Sequence, residues 1–214
     1  MSKKNKDNNN LSFQIITLGN PGVGKTSIIH RYISNVFDNN NLSTIGIDFC
    51  KKEITLKNGK KIQLKLTDTG GQELYKSLSK TYFKNSDGVL FVFSLNNEES
   101  FRDISKWIKD FKENCFGKEN IPKYLIGNKC DLIGKISENS IIEVANNNDM
   151  TYFETSAKDK TNIDKVFEEM GEKLYNEYLN SGRAKNFQKV EKIKISNEKA
   201  KKKGCNCGNV EGDL

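Results

Sequence analysis

Apolar residues follow two rhythms along this chain, and the two alternate. Residues 13–18 form a short apolar run closed by Gly19, which predicts a buried strand. Residues 25–33 have helical spacing. Residues 49–56 and 61–66 alternate apolar with polar positions, as half-buried strands do. Between them lies Asn58-Gly59, a pair that tolerates positive φ and predicts a tight antiparallel hairpin. Residues 88–95 (GVLFVFSL) are almost wholly apolar, as expected of a parallel strand covered on both faces. Phe101, Ile104, Trp107, Ile108 and Phe111 form one stripe on a predicted helix over 100–111, which makes Trp107 a core candidate. Strands over 123–127 and 150–154 and helices over 141–145 and 163–179 complete the series. Strands alternating with helices predict an α/β domain. Its six-stranded sheet is mostly parallel with one antiparallel hairpin strand, and helices cover both faces. Ligands of such sheets bind beyond the carboxyl ends of the strands.

The pattern fades at both ends. Residues 1–10 and 180–214 are polar and rich in lysine and asparagine, so the ordered domain is expected over 11–179 between an N-terminal tail and a basic C-terminal tail. The net charge of +7 sits in those ends. Residues 180–214 hold nine basic and four acidic residues, and residues 1–10 hold three lysines and Asp7, which leaves the body formally neutral. A neutral body argues against a nucleic-acid-binding face. The basic tail suits an anionic membrane surface or is simply a solvated charged run. No apolar run approaches a membrane span, and the first ten residues lack the apolar segment of a secretory signal. Five widely spaced cysteines, an odd number, fit reduced thiols. These features together predict a cytosolic protein.

Chemistry enters at the strand ends. Gly19, Asn20, Pro21, Gly22, Val23, Gly24, Lys25 and Thr26 match G-x-x-x-x-G-K-[ST] after a predicted strand and before a predicted helix. Glycines there let backbone N–H groups wrap an anion, and the helix N-terminus adds a favourable dipole. Lys25 brings a full charge to the β- and γ-phosphates, and the Thr26 hydroxyl can ligate Mg²⁺. This motif specifies a nucleoside triphosphate but not its base.

Asn128, Lys129, Cys130 and Asp131 match N-K-x-D after the strand over 123–127. A carboxylate there accepts two hydrogen bonds from the N1–H and N2–H₂ edge of guanine. Adenine offers neither donor and leaves the carboxylate unpaired, at about 1–3 kcal/mol or more. Ser156, Ala157 and Lys158 match S-A-K after the strand over 150–154, with backbone N–H groups expected to face guanine O6. Each short motif alone is weak. Their order, each after its own strand and downstream of the phosphate loop, is specific. A P-loop ATPase or kinase is disfavoured by the two guanine-reading loops.

These motif groups resemble the Ras-like small GTPase superfamily over residues 13–179. The stretch Thr44-Ile45-Gly46-Ile47-Asp48-Phe49 and the segment Asn97-Glu98-Glu99-Ser100-Phe101 with Trp107 resemble its Rab branch. The resemblance implies a P-loop fold that binds GTP or GDP with Mg²⁺, hydrolyses GTP slowly alone, and recruits effectors in vesicle traffic. It places the Thr44 hydroxyl on Mg²⁺ and its N–H on the γ-phosphate. Asp68-Thr69-Gly70-Gly71-Gln72-Glu73 is similar to the start of the second switch. There Asp68 holds Mg²⁺ through water, the Gly71 N–H contacts the γ-phosphate, and Gln72 orients the attacking water as the catalytic residue. Phe37 aligns with an aromatic that packs on guanine, although an ordinary core aromatic is an equal reading. Ile45, Ile47, Phe49, Thr67 and Tyr82 are implied effector positions. Implied partners are an exchange factor, a GTPase-activating protein, effectors, and prenyl-transfer and dissociation-inhibitor proteins.

The chain departs from the family in several places. Gly70 stands where alanine is usual and frees the backbone. Thr67 replaces the usual tryptophan of an aromatic effector patch, removing a typical hot-spot residue. Leu74 replaces an arginine. Pro21 lies where an arginine finger and Gln72 must fit, so altered hydrolysis is expected rather than lost binding. A GTP-loaded binding or scaffold module with little hydrolysis is the alternative reading. In the tail, Lys201-Lys202-Lys203-Gly204-Cys205-Asn206-Cys207 resembles the polybasic C-x-C end of Rab proteins, whose cysteines carry geranylgeranyl chains. Seven residues follow Cys207 and no C-a-a-X box is present. Three outcomes stay open for Cys205 and Cys207: prenylation with the extension accepted or trimmed, another lipid, or free thiols. If lipidated, the protein is peripheral on the cytosolic face of an internal membrane.

Overall fold

The computed structural model describes residues 11–38, 46–70, 76–118 and 120–181, with side chains of 76–80 excepted. The most apolar segment becomes β4 (Gly88–Ser94), buried at every position. Neighbouring strands pair both of its edges, and helices cover its faces. The other strands are β1 (Ser12–Leu18), β2 (Ile47–Thr55), β3 (Lys61–Thr69), β5 (Lys123–Asn128) and β6 (Thr151–Thr155). Their order in the sheet is β2-β3-β1-β4-β5-β6, with β2-β3 antiparallel and every other pair parallel. The chain leaves β1 towards either side of the sheet, so a crevice opens above its carboxyl end.

The helices are α1 (Lys25–Ser34), α2 (Lys76–Asn85), α3 (Glu98–Arg102), α4 (Ile104–Asn114), α5 (Glu138–Asn147) and α6 (Ile163–Asn180). Side chains alternate along a strand, so Val89, Phe91 and Phe93 enter one apolar cluster with Phe83 of α2, Ile104, Ile108 and Phe111 of α4, and Ile141 of α5. On the other face Tyr32 of α1 stacks on Phe167 of α6, with ring centroids 4.0 Å apart. There Gly171 lets α6 approach β2 and β3, since an added Cβ would lie 2.6 Å from Ile54. The expected α/β sheet with helices on both faces is what forms.

The chain divides into two compact units, Met1–Leu174 and Tyr175–Leu214. Of the second unit residues 175–181 are described. They continue α6 to Asn180, and the Ser181 N–H donates to the Glu177 carbonyl.

Three local features differ from the sequence pattern. Helix α2 is absent from it, because KSLSKTYFKN has few apolar positions and no sustained stripe. The helix expected over 100–111 is two helices meeting at Asp103. The Asp103 carbonyl accepts from both the Lys106 and Trp107 N–H groups, and the Asn97 side chain caps the first helix at the Ser100 N–H. The expected tight antiparallel hairpin forms, but its turn takes in more than the Asn58-Gly59 pair. The Gly59 N–H donates to the Leu56 carbonyl, and of Asn58 and Gly59 only Gly59 has positive φ, at 78°. That is a type I turn closed by a left-handed glycine, with Asn58 Oδ1 accepting from the Lys60 N–H.

Candidate nucleotide-binding site

The phosphate loop turns immediately after β1 and ends at α1. Gly19 has φ 147°, and a Cβ there would lie 2.0 Å from the Val92 carbonyl oxygen. Gly24 has φ 99°, and its Cβ would lie 2.3 Å from Asn128 Nδ2. Only glycine fits at either place, because backbone strain and backbone or amide contact coincide. Gly24 is the N-cap residue of α1 and supplies no side-chain cap, and no acidic residue occupies the first turn. The N-terminus of α1 is thus left without a capping side chain or an acidic residue of its own, which suits an anion there.

Lys25 is 4% exposed, and its Nζ donates to the carbonyls of Gly19 at 2.8 Å and Asn20 at 2.9 Å. Burial pushes its ammonium down to about 8, opposed by the charge of Asp68. A cation buried against carbonyl dipoles calls for an anion in the same place.

Asp68 lies near the carboxyl end of β3, buried, with Oδ2 accepting from Thr26 Oγ1 at 2.6 Å. Its Oδ1 is buried without a partner. Burial pushes this carboxyl up, and the Thr26 hydroxyl and Lys25 charge hold it down. An orphaned carboxylate oxygen beside a hydroxyl is a hard-oxygen donor set that fits Mg²⁺.

The base-reading loops meet beside the phosphate loop. Asn128 ends β5, is buried, and donates through Nδ2 to the Val23 carbonyl at 2.9 Å. Its Oδ1 accepts from Thr155 Oγ1 at 3.2 Å and from the Ala157 N–H at 3.3 Å. One carboxamide thus joins all three loops. The Ala157 N–H, expected to face guanine, makes this long bond to Asn128. Lys129 takes φ 65° and its Nζ reaches the Gly22 carbonyl at 2.7 Å. Asp131 Oδ1 accepts from Ser156 Oγ at 2.6 Å, and Lys158 Nζ lies 4.0 Å from Oδ2.

These walls enclose a cleft of about 430 Å³. Pro21, Gly22, Gly24, Lys25 and Thr26 line it together with Asn128, Lys129, Asp131, Ala157 and Lys158. Phe37 is half-buried on the cleft wall rather than in the core, with the Arg31 guanidinium 5.7 Å from its ring centre. Pro21 is exposed at the rim. Gly70 is buried on the floor, and its N–H donates to the Gly46 carbonyl at 3.1 Å.

Among the implied effector positions, Phe49 is 52% exposed and its ring lies 5.4 Å from that of Tyr82. Ile47 is half-buried at the start of β2. Thr67 faces Phe49 in register but is fully buried, its carbonyl accepting from Thr17 Oγ1, so it offers no surface of its own. Thr44, Ile45, Gly71, Gln72, Cys205 and Cys207 lie outside the described residues.

The motifs did not reveal Arg31. Its Nε donates to the Ala157 carbonyl at 2.7 Å and its Nη2 to the Lys158 carbonyl at 2.8 Å, which ties α1 to the S-A-K loop. Its only sequence signal is a cation six residues after Lys25, on the helix the motif opens.

The comparisons agree with this geometry. The Ras family model matches residues 14–176. Rab-13 of Canis lupus familiaris is 38% identical over 157 residues, covering 72% of this chain and 76% of that protein. Rab-10 of Diplobatis ommata is 36% identical over 176 residues, covering 81% and 85%. Rab-30 of Homo sapiens is 33% identical over 167 residues, covering 77% and 81%. With the phosphate loop and both base-reading loops on one crevice, the chain belongs to the Ras family as a Rab-like small GTPase, a GTP hydrolase.

Proposed function

We propose that this protein cycles between GTP-bound and GDP-bound states and recruits effectors to membranes in vesicle traffic. The observation that carries the reading is that Lys25 and Asp131 line one and the same cleft. Lys25, the glycine-turned amides and the α1 N-terminus bind the phosphates. Asp131, held by Ser156, accepts from the guanine edge, and Phe37 and Lys129 flank the base and sugar. Thr26, Asp68 and Thr44 would hold Mg²⁺, which when bound neutralises charge on the phosphate oxygens. Gln72 orients the attacking water and Gly71 contacts the γ-phosphate, both by resemblance. γ-Phosphate contacts then order the two switches, and hydrolysis releases them. No arginine is placed by a motif to act in cis, so an activating protein supplies one and an exchange factor ejects GDP. Effectors dock on Ile45, Ile47 and the Phe49–Tyr82 pair, with Thr67 as the floor beneath them. The domain over 11–179 carries this chemistry. The basic tail and its cysteines serve membrane attachment, with prenyl-transfer and dissociation-inhibitor proteins as partners if lipid is added. No helix among the described residues is long and apolar enough to cross a membrane.

Calorimetry of the purified chain with magnesium tests the core of this reading. GDP and GTP should bind with similar heats, and ATP at least tenfold more weakly, from the unpaired carboxylate it leaves. No heat with either guanine nucleotide, or equal affinity for ATP, would overturn it.

A further inference from the structure

One polar cluster at the site's edge belongs to none of the motif roles. Asn20, inside the phosphate loop, points its side chain away from the cleft towards α4. Its Nδ2 donates to Asp103 Oδ2 at 2.7 Å, and its Oδ1 accepts from the Trp107 Nε1–H at 2.8 Å. Its backbone carbonyl meanwhile accepts from Lys25 Nζ at 2.9 Å. A single residue therefore bonds the helix with its side chain and the phosphate-binding lysine with its main chain.

Chemistry fixes the direction of both side-chain bonds. The indole offers only a donor, and an ionised carboxylate offers only acceptors. Asp103 is held ionised well below the usual carboxylate range by hydrogen bonds from Lys106 and Asn20. The amide does both through separate atoms, accepting from Trp107 at Oδ1 and donating to Asp103 from Nδ2. Aspartate at this position would set two carboxylates against each other, and alanine would take from Trp107 the Asn20 acceptor and leave Asp103 to Lys106.

The helix side of the clamp is also constrained. Asp103 is the junction of α3 and α4, and Trp107 packs against the core cluster beneath it. Lys106 Nζ lies 2.6 Å from Asp103 Oδ1 and is itself exposed. The anchor is thus the end of a packed helix rather than a free surface side chain.

We propose that Asn20 is a positioning residue whose carboxamide couples α4 to the phosphate loop and so sets how tightly nucleotide is held. The proposal rests on the nucleotide-binding reading of the cleft. Moving the Asn20 side chain moves the carbonyl that orients Lys25, so loss of the clamp acts on phosphate retention and not only on folding.

Release of fluorescent GDP from the loaded full-length chain tests it. Asn20→Ala and Trp107→Phe, the latter keeping a ring in the core, should each speed release about tenfold, the scale of one such hydrogen bond. The double variant Asn20→Ala/Trp107→Phe should release at about the same rate as either single one, because both break one unit. Asn20→Asp should also speed release. Asn20→Asp/Asp103→Asn, in which amide and carboxylate trade places, should restore most of the wild-type rate. Trp107 is the only tryptophan in the chain, so its emission should change when EDTA strips nucleotide from the wild type. In Asn20→Ala that change should be lost. Release rates equal to wild type in all variants, multiplicative effects in the Ala/Phe pair, or no rescue in the exchanged pair would overturn the proposal while leaving the nucleotide site intact. A wild type that retains no labelled GDP would overturn both.

Discussion

On the proposed function, Asp131 selects the base. Its carboxylate is oriented by the Ser156 hydroxyl through Oδ1, and the adjacent Lys158 keeps positive charge within 4.0 Å of Oδ2. A carboxylate is an acceptor at both oxygens, which is what the two donors of the guanine edge require. Asp131→Asn replaces one acceptor by a donor while keeping the shape and the Ser156 contact. GDP affinity should fall by about tenfold to a hundredfold, the loss expected when a hydrogen bond to a charged group is removed. ATP affinity should hardly change and the melting curve should stay in place. Competition binding with the two nucleotides checks this, and an equal loss for both would show that Asp131 acts on the phosphates or the fold. Such residues were legible in the sequence because their chemistry is written in short, ordered motifs. Asn20 was legible only as a phosphate-loop position, since nothing local says that its side chain meets Trp107, a residue whose stripe position spoke only of core packing.

Helix α1 joins two loops of the cleft. It starts from the phosphate loop at Gly24, while Arg31 near its end grips the S-A-K loop through two backbone carbonyls. A third bond, from Nη1 to the Asn35 carbonyl, closes the helix end where Asn35 takes φ 58°. The planar fork makes these bonds together, and lysine, with a single nitrogen, cannot. Arg31→Ala should therefore speed GDP release about tenfold, and Arg31→Lys should not rescue it. Stopped-flow release against excess unlabelled GDP measures both. Rescue by lysine would reduce Arg31 to a general positive charge. The sequence predicted α1 itself closely, because a glycine-lysine start and an apolar spacing agree there. It left α2 unseen, because that helix draws little from local pattern and is stabilised where Phe83 packs edge-on to Phe111 of α4. It also ran α3 and α4 together, because the apolar stripe continues through Asp103 while the break is made by polar groups at that residue. The hairpin turn was placed correctly, but its type depended on Asn58 folding its side chain onto Lys60.

At the scale of the molecule, charge is partitioned rather than spread. The seven surplus positive charges lie in the terminal segments, and the body between them is neutral. A neutral body leaves the faces around the cleft to be chosen by shape and specific contacts, such as the exposed Phe49 ring beside Tyr82. The basic run around Lys201, Lys202 and Lys203 instead carries a long-range attraction that does not depend on the state of the site. Each such lysine near an anionic lipid surface contributes about 1 kcal/mol at moderate salt. The unlipidated full-length chain should therefore co-sediment with vesicles rich in phosphatidylserine, and binding should fall steeply as salt rises. Replacing the three lysines by alanine should weaken binding by about a hundredfold or more. Purely phosphatidylcholine vesicles should capture neither protein. GDP and GTP loading should make no difference to this step, because the attraction belongs to the tail and the switch to the cleft. A strong dependence on the bound nucleotide would mean that the folded body itself touches the bilayer, and the division of labour between neutral body and basic tail would have to be abandoned.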